Sequence, residues 1–140
     1  MRVTVSTPVK ATEDPARVSE AARRLFPDLE GAVADDRYVG HTADLRALRR
    51  RVWELRIIDT VRGQVLHGTP TGAARTTAFR LSKQAALAGK VSFPPTPHAL
   101  GDLEVAIELQ DGDPWADIDA LALWLCPETK DGEIVGPVLD

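Results

Sequence analysis

The chain is predicted to fold as α+β, with an antiparallel or mixed sheet and helices packed on one face. Three observations carry that prediction. Leu103, Val105, Ile107 and Leu109 alternate with Asp102, Glu104, Ala106 and Glu108, the period of a strand with one face in a core. Leu45, Leu48, Val52 and Leu55 recur at three and four residues, the period of a helix with one buried face. Strand-like and helix-like segments interleave irregularly, without a repeated strand–helix–strand unit, which favours α+β over a sheet wound by crossovers.

Taken in order, Val3, Val5 and Val9 stand on alternate positions and predict a first strand. Asp14-Pro15 reads as a helix cap followed by proline at the first helical position. Val18, Ala21, Ala22 and Leu25 form that helix's apolar stripe, and Pro27 ends it. Strands are expected at Leu29–Val33 and Arg37–Val39, joined by a turn at Asp35-Asp36. Thr42 is expected to cap a long helical segment that opens with Asp44. From Ile57 the stripe slips to Ile57, Ile58, Val61 and Val65, which predicts a bend or break near Leu55. Gly68-Thr69-Pro70 with Gly72 stops the second helix. Arg75–Leu81 reads as strand, Ser82–Leu87 as either a short helix or an irregular connection, and Gly89–Phe93 as strand. Pro94, Pro95 and Pro97 stiffen the loop that follows. Asp113-Pro114 repeats the cap signature and predicts a last helix over Trp115–Leu125, closed by Pro127. An extended piece is expected within Ile134–Leu139.

At 140 residues and 44% hydrophobic, the chain suits a single domain over residues 1–140. One cysteine, Cys126, allows no internal disulfide. No apolar run follows Met1, so neither a signal peptide nor a membrane span is expected, and a cytoplasmic location is. The net charge of -4 hides a strong asymmetry. Residues 1–36 hold 5 basic and 7 acidic groups, residues 37–90 hold 11 and 3, and residues 91–140 hold 1 and 11. The middle block is therefore +8 and the last third -10. Such asymmetry points to electrostatic partners, and guanidinium forks suit phosphate. Internal pairing of the basic block with the acidic end is the competing explanation.

The densest basic segment runs from Leu45 to Arg56. On a helix, Arg46, Arg49, Arg50 and Trp53 share a stripe away from Leu45, Leu48, Val52 and Leu55. Guanidinium groups on one face can track phosphates, and the indole can stack on a base. An ordinary solvated helix face reads the same way, with Glu54 near Arg50 and Arg51, and Asp59 near Arg56 and Arg62. Arg46 and Arg49 lack an acidic neighbour at those spacings and are the better candidates. Arg56 closes the same segment and is a further candidate, and Arg75, Arg80, Lys83 and Lys90 join it if the middle strands lie beside the helix.

Signals of catalysis are poor. His41, His67 and His98 are scattered, and no pair has metal-ligand spacing. An enzyme would need a pocket lined by His41, Asp44 or His98. Cys126 before Pro127 reads as a buried, inert thiol. No cysteine pair stands ready for zinc, and Asp111, Asp113, Asp117 and Asp119 lack calcium-loop order. No enzyme activity, metal or other cofactor is expected.

Several motifs carry a resemblance. The Leu45–Arg62 run, Leu81-Ser82-Lys83-Gln84-Ala85-Ala86, Gly89-Lys90-Val91-Ser92-Phe93, Thr12-Glu13-Asp14-Pro15 and Gly101-Asp102-Leu103-Glu104-Val105 resemble an uncharacterised archaeal family of small proteins. That family is grouped with predicted RNA-binding proteins. The resemblance implies a fold like that of ribosomal protein L-five and RNA binding without catalytic residues. The expectation is thus an RNA-binding protein that contacts phosphates through its Arg-rich helix and neighbouring basic residues. The alternative is a structural or assembly protein whose basic and acidic thirds pair between subunits. A homodimer is expected because Leu45–Leu66 and the three tryptophans hold more apolar surface than one helix face needs.

Overall fold

The computed structural model describes residues 1–69 and 74–139. Five strands build one antiparallel sheet: β1 (Arg2–Pro8), β2 (Glu30–Ala34), β3 (Arg37–Thr42), β4 (Thr76–Leu81) and β5 (Leu103–Glu108). Their spatial order is β2-β3-β1-β5-β4, with β1 central. The fold is α+β, with every neighbouring pair in the sheet antiparallel. Val3 and Val5 of β1 face Ile107 and Val105 of β5, and these face Thr77 and Phe79 of β4. That row lies on the buried face. The other face carries Thr4, Ser6, Ala78, Glu104, Ala106 and Glu108, all exposed or half-exposed. Asp35 and Asp36 both adopt positive φ between β2 and β3, the geometry of a tight hairpin turn. Gly31 and Gly40 are partners in that hairpin, and a Cβ at either would stand 2.7 Å from the Tyr38 hydroxyl.

Helix α1 (Pro15–Leu25) starts as the sequence predicts: the Asp14 carboxylate accepts from Ala16 N, and proline takes the first turn. Helix α2 (Arg46–Glu54) and helix α3 (Ile58–His67) are separate, with Arg56 at φ 56° between them. The break near Leu55 is therefore present. Its consequence is that Leu45, Leu48, Val52, Ile58, Val61 and Val65 all enter one core, with Leu55 half-buried. The surplus apolar surface behind the homodimer expectation is thus mostly internal to one chain, although Leu66 stays exposed. Helix α4 (Lys83–Leu87) settles the Ser82–Leu87 alternative: Ser82 Oγ caps it by accepting from Ala85 N.

Four expectations need correction. Thr42 does not cap α2 directly: its hydroxyl accepts from Asp44 N, and the Asp44 carboxylate in turn accepts from Arg46 N. Gly89–Phe93 is not a strand: Gly89 turns at φ 76°, and only Ser92 O reaches a strand end, accepting from Ser82 N. Val91 and Phe93 pack on the core instead, Phe93 edge-on to Phe79 with centroids 6.1 Å apart. The last helix, α5 (Ile118–Leu125), starts at Asp117, which caps Ala120 N. Asp113 is used elsewhere, accepting from Gln110 N and from the Met1 nitrogen. After Pro127 the chain forms a two-stranded hairpin, β6 (Thr129–Lys130) with β7 (Glu133–Ile134), and of the extended piece expected within Ile134–Leu139 only Ile134 lies in a strand. Pro70 and Gly72 of the predicted stop lie outside the described residues. Among the described residues no helix is long and apolar enough to cross a membrane.

Candidate nucleic-acid interface

Helix α2 decides which basic groups are available. Its core line is Leu48 and Val52. At 100° per residue, Arg49 and Trp53 fall on one flank of that line, Arg51 on the other, and Arg46 and Arg50 opposite. Arg49 turns toward α5. Its Nε donates to Trp124 O at 2.8 Å and its Nη2 to Leu139 O at 2.6 Å. Its guanidinium carbon lies 4.5 Å from the Trp53 ring centroid and 4.7 Å from that of Trp124. Trp53 Nε1 donates to Leu125 O at 2.8 Å. The predicted stripe therefore splits: Arg49 and Trp53 are occupied in joining α2 to α5 and the C-terminal segment.

Most of the other basic groups of the middle block are also used internally. Lys83, 4% exposed, donates to Pro8 O, Leu100 O and both Glu13 carboxylate oxygens within 3.1 Å. Arg62 donates to Pro127 O at 2.6 Å and pairs with Asp59. Arg80 pairs with the buried Asp102 at 3.1 Å. Arg37 pairs with Glu104 across the open sheet face. Arg75 donates to Ala116 O at 3.1 Å and stands 4.0 Å from Asp111. Arg75 and Arg80 do not extend the α2 surface, since they belong to β4 and the residue before it.

The remaining groups are exposed. Arg46 is 80% exposed, and its contact with Asp44 is loose at 3.9 Å. Arg50, Arg56 and Lys90 are exposed, and their side chains make no hydrogen bond or ion pair with described residues. Arg51 pairs with Glu54 at 3.5 Å, so Glu54 serves Arg51 and leaves Arg50 open. Arg51 also lies beside Gly89, 3.7 Å from where a Cβ would stand, and so links α2 to the turn that carries Lys90.

A cleft of about 610 Å³ opens at the start of α2. His41, Asp44, Arg46, Glu30 and Trp115 are among its lining residues. His41 and Asp44 are thus brought together as the enzyme alternative requires, while His98 is not among them. Their carboxylate and aromatic companions come from distant segments that periodicity could not join. Among the described residues no group of three His, Cys, Asp or Glu side chains is arranged to hold a metal ion. Cys126 is fully buried. Burial pushes its thiol up to about 12, against a smaller opposing effect of the Arg62 and Arg49 charges. It is not a nucleophile at neutral pH.

Sheet, helical layer and basic α2 face together define a small α+β protein that presents a helix-borne cationic surface. Residues 2–109 match the model of a protein family described as RNA binding. A UPF0201 protein of Methanothermobacter thermautotrophicus is 37% identical over 132 residues, spanning 92% of this chain and 93% of that one. A UPF0201 protein of Thermococcus onnurineus is 34% identical over 138 residues, spanning 93% and 94%. The crystal structure of a UPF0201 protein from Methanococcus jannaschii superposes with a TM-score of 0.85 at 27% identity, over 97% of this chain and 100% of that one. The chain belongs to the UPF0201 family, an uncharacterised archaeal family.

Proposed function

We propose that the protein binds RNA by its phosphate backbone, along the outward face of α2 and the adjoining turns. The observation that carries this reading is the sorting of the basic block. Arg46, Arg50 and Arg56, with Lys90, face solvent with little or no neutralising partner, whereas the other cations are held by carboxylates or carbonyls. A solvated guanidinium row attracts phosphates through counterion release and needs no base contact. The description of the matching family supports the same reading. Assembly through charge pairing between subunits is less well supported. Part of the charge it needs already pairs inside one chain, in Arg37–Glu104, Arg80–Asp102 and Arg75–Asp111.

The test is a salt-titrated binding assay on single-stranded and duplex RNA. If Arg46, Arg50, Arg56 and Lys90 each neutralise a phosphate, log affinity falls against log salt with a slope of about -2.8 for single strands and about -3.6 for a duplex. Arg46→Ala with Arg50→Ala and Arg56→Ala makes the slope shallower by about 2.1 for single strands and about 2.7 for a duplex. Absence of binding at low salt, or an unchanged slope in the triple variant, refutes the reading.

A further inference from the structure

The cleft at the start of α2 has a chemistry unlike the surface beside it. Asp28, Glu30 and Asp44 contribute carboxylates, Trp115 a half-buried indole, and Arg46 a guanidinium shared with the outward face of α2. Asp44 is engaged, since its Oδ1 accepts from Arg46 N at 2.9 Å. Asp28 and Glu30 are exposed, and their carboxylates make no hydrogen bond or ion pair with described residues. Glu30 stands opposite His41 in the β2–β3 register, and His41 Nδ1 lies 3.1 Å from Thr4 Oγ1 on the strand at its other side. Trp115 rests against Trp124 with centroids 5.1 Å apart, which gives its indole a fixed support.

This arrangement sorts a nucleotide by charge. A phosphate is repelled by the carboxylates and attracted to Arg46 and Arg50 outside. A neutral base can enter, stack on an indole and donate hydrogen bonds to a carboxylate. Guanine presents two adjacent donors, N1–H and the N2 amino group, which match the two oxygens of one carboxylate. Adenine and cytosine present one amino group beside an acceptor nitrogen that a carboxylate repels, and uracil flanks its one donor with two carbonyls. We propose that this cleft takes an unpaired guanine of bound RNA, its donor edge on the Glu30 carboxylate with Asp28 adding to the negative charge of the cleft, and its face on Trp115. The inference rests on the RNA-binding reading above and adds a base preference to it.

The experiment compares a uridine heptamer with the same heptamer carrying one central guanosine, or one central adenosine, by fluorescence anisotropy at low salt. The guanosine heptamer binds about tenfold tighter than the other two, the scale of one good bidentate base contact. In the Asp28→Asn, Glu30→Gln variant that preference disappears, while the uridine heptamer binds as well or better because two negative charges are gone. Both substitutions are at exposed positions, so the fold is retained, and circular dichroism checks it. Equal affinities for the three heptamers, or a guanosine preference that survives in the variant, overturn the proposal and leave phosphate binding standing. Failure of all three to bind at low salt overturns the RNA-binding reading and this proposal with it.

Discussion

Replacing Lys83 by methionine tests how the basic block is divided. The ammonium is 4% exposed and lies 2.9 Å from Pro8 O, 2.7 Å from Leu100 O, and 3.0 and 3.1 Å from the two Glu13 oxygens. Its three protons are therefore all used. Glu13 is nearly as enclosed, with 11% of its side chain exposed, and has one further donor, Lys10 N at 3.0 Å. Methionine keeps the length and apolar stem but leaves a buried carboxylate without its cation and two carbonyls without a donor. Removing one partner of a buried pair costs about 3–5 kcal/mol. At about 3 °C per kcal/mol for a domain of this size, Tm falls by about 10–15 °C. The assay is urea unfolding followed by tryptophan fluorescence, with the midpoint falling and the m-value unchanged. Adding Glu13→Gln to Lys83→Met should recover about half of the loss, because the unpaired charge goes while the carbonyls stay unsatisfied. A loss under about 1 kcal/mol, or a double variant no better than the single one, refutes the argument. At temperatures where the variant is folded, its salt slope for RNA should match that of the parent, since Lys83 reaches no ligand.

Gly68→Ala should destabilise by about 3 kcal/mol or prevent folding: its Cβ would stand 1.9 Å from Ala78 O, at the point where Gly68 O accepts from Ala78 N, so neither segment can give way. Parent-level stability in the same urea assay would show that the β4 edge can move. Cys126 should resist thiol reagents in the native state and react only on global unfolding. With burial pushing the folded thiol up to about 12 against 9.0 for a free thiol, the unfolded state loses its proton first, so stability falls between about pH 9 and pH 12. The slope approaches about 1.4 kcal/mol per pH unit, and a Cys126→Ala comparison isolates it. Arg49→Lys should cost about 1–2 kcal/mol, since an ammonium cannot stack flat between two indoles while donating to Trp124 O and Leu139 O, and should leave the salt slope for RNA unchanged.

The parts of the fold that local rules govern were legible in the sequence. The alternation at Leu103–Leu109 gives β5, the stripe slip near Leu55 gives the α2–α3 break, and Asp14-Pro15 gives the start of α1. Each of these depends on residues within one turn or one strand. Gly89–Phe93 carries strand-like residues, yet strand formation needs a partner edge, and the segment meets β4 through one backbone bond. The second acidic cap misplaced the last helix because Asp113 and Asp117 both precede it, and only Asp117 has the free geometry. The Arg-rich helix was visible as a candidate, but not the fate of each cation. The carbonyl that holds Arg49 is 75 residues away, and the carboxylate that holds Lys83 is 70. The cleft joins Glu30, His41, Asp44 and Trp115 from separate segments, and no local period connects them.

The division of labour on α2 follows from helix geometry acting on a short cationic run. Arg49, Arg50 and Arg51 are consecutive, so 100° steps send them toward three different surroundings. Arg49 meets the carbonyl ends of α5, where a cation is stabilised by the exposed oxygens and the dipole's negative end. Arg51 meets Glu54 on its own helix and the turn at Gly89. Arg50 meets water. A run of three arginines therefore needs no separate signals to supply a tertiary staple, a helix-to-turn contact and a ligand-facing charge. It also follows that counting basic residues overstates the surface charge of this protein. The middle block is +8 in sequence, but the groups that face solvent without a close partner are far fewer, and these must govern any salt dependence of binding.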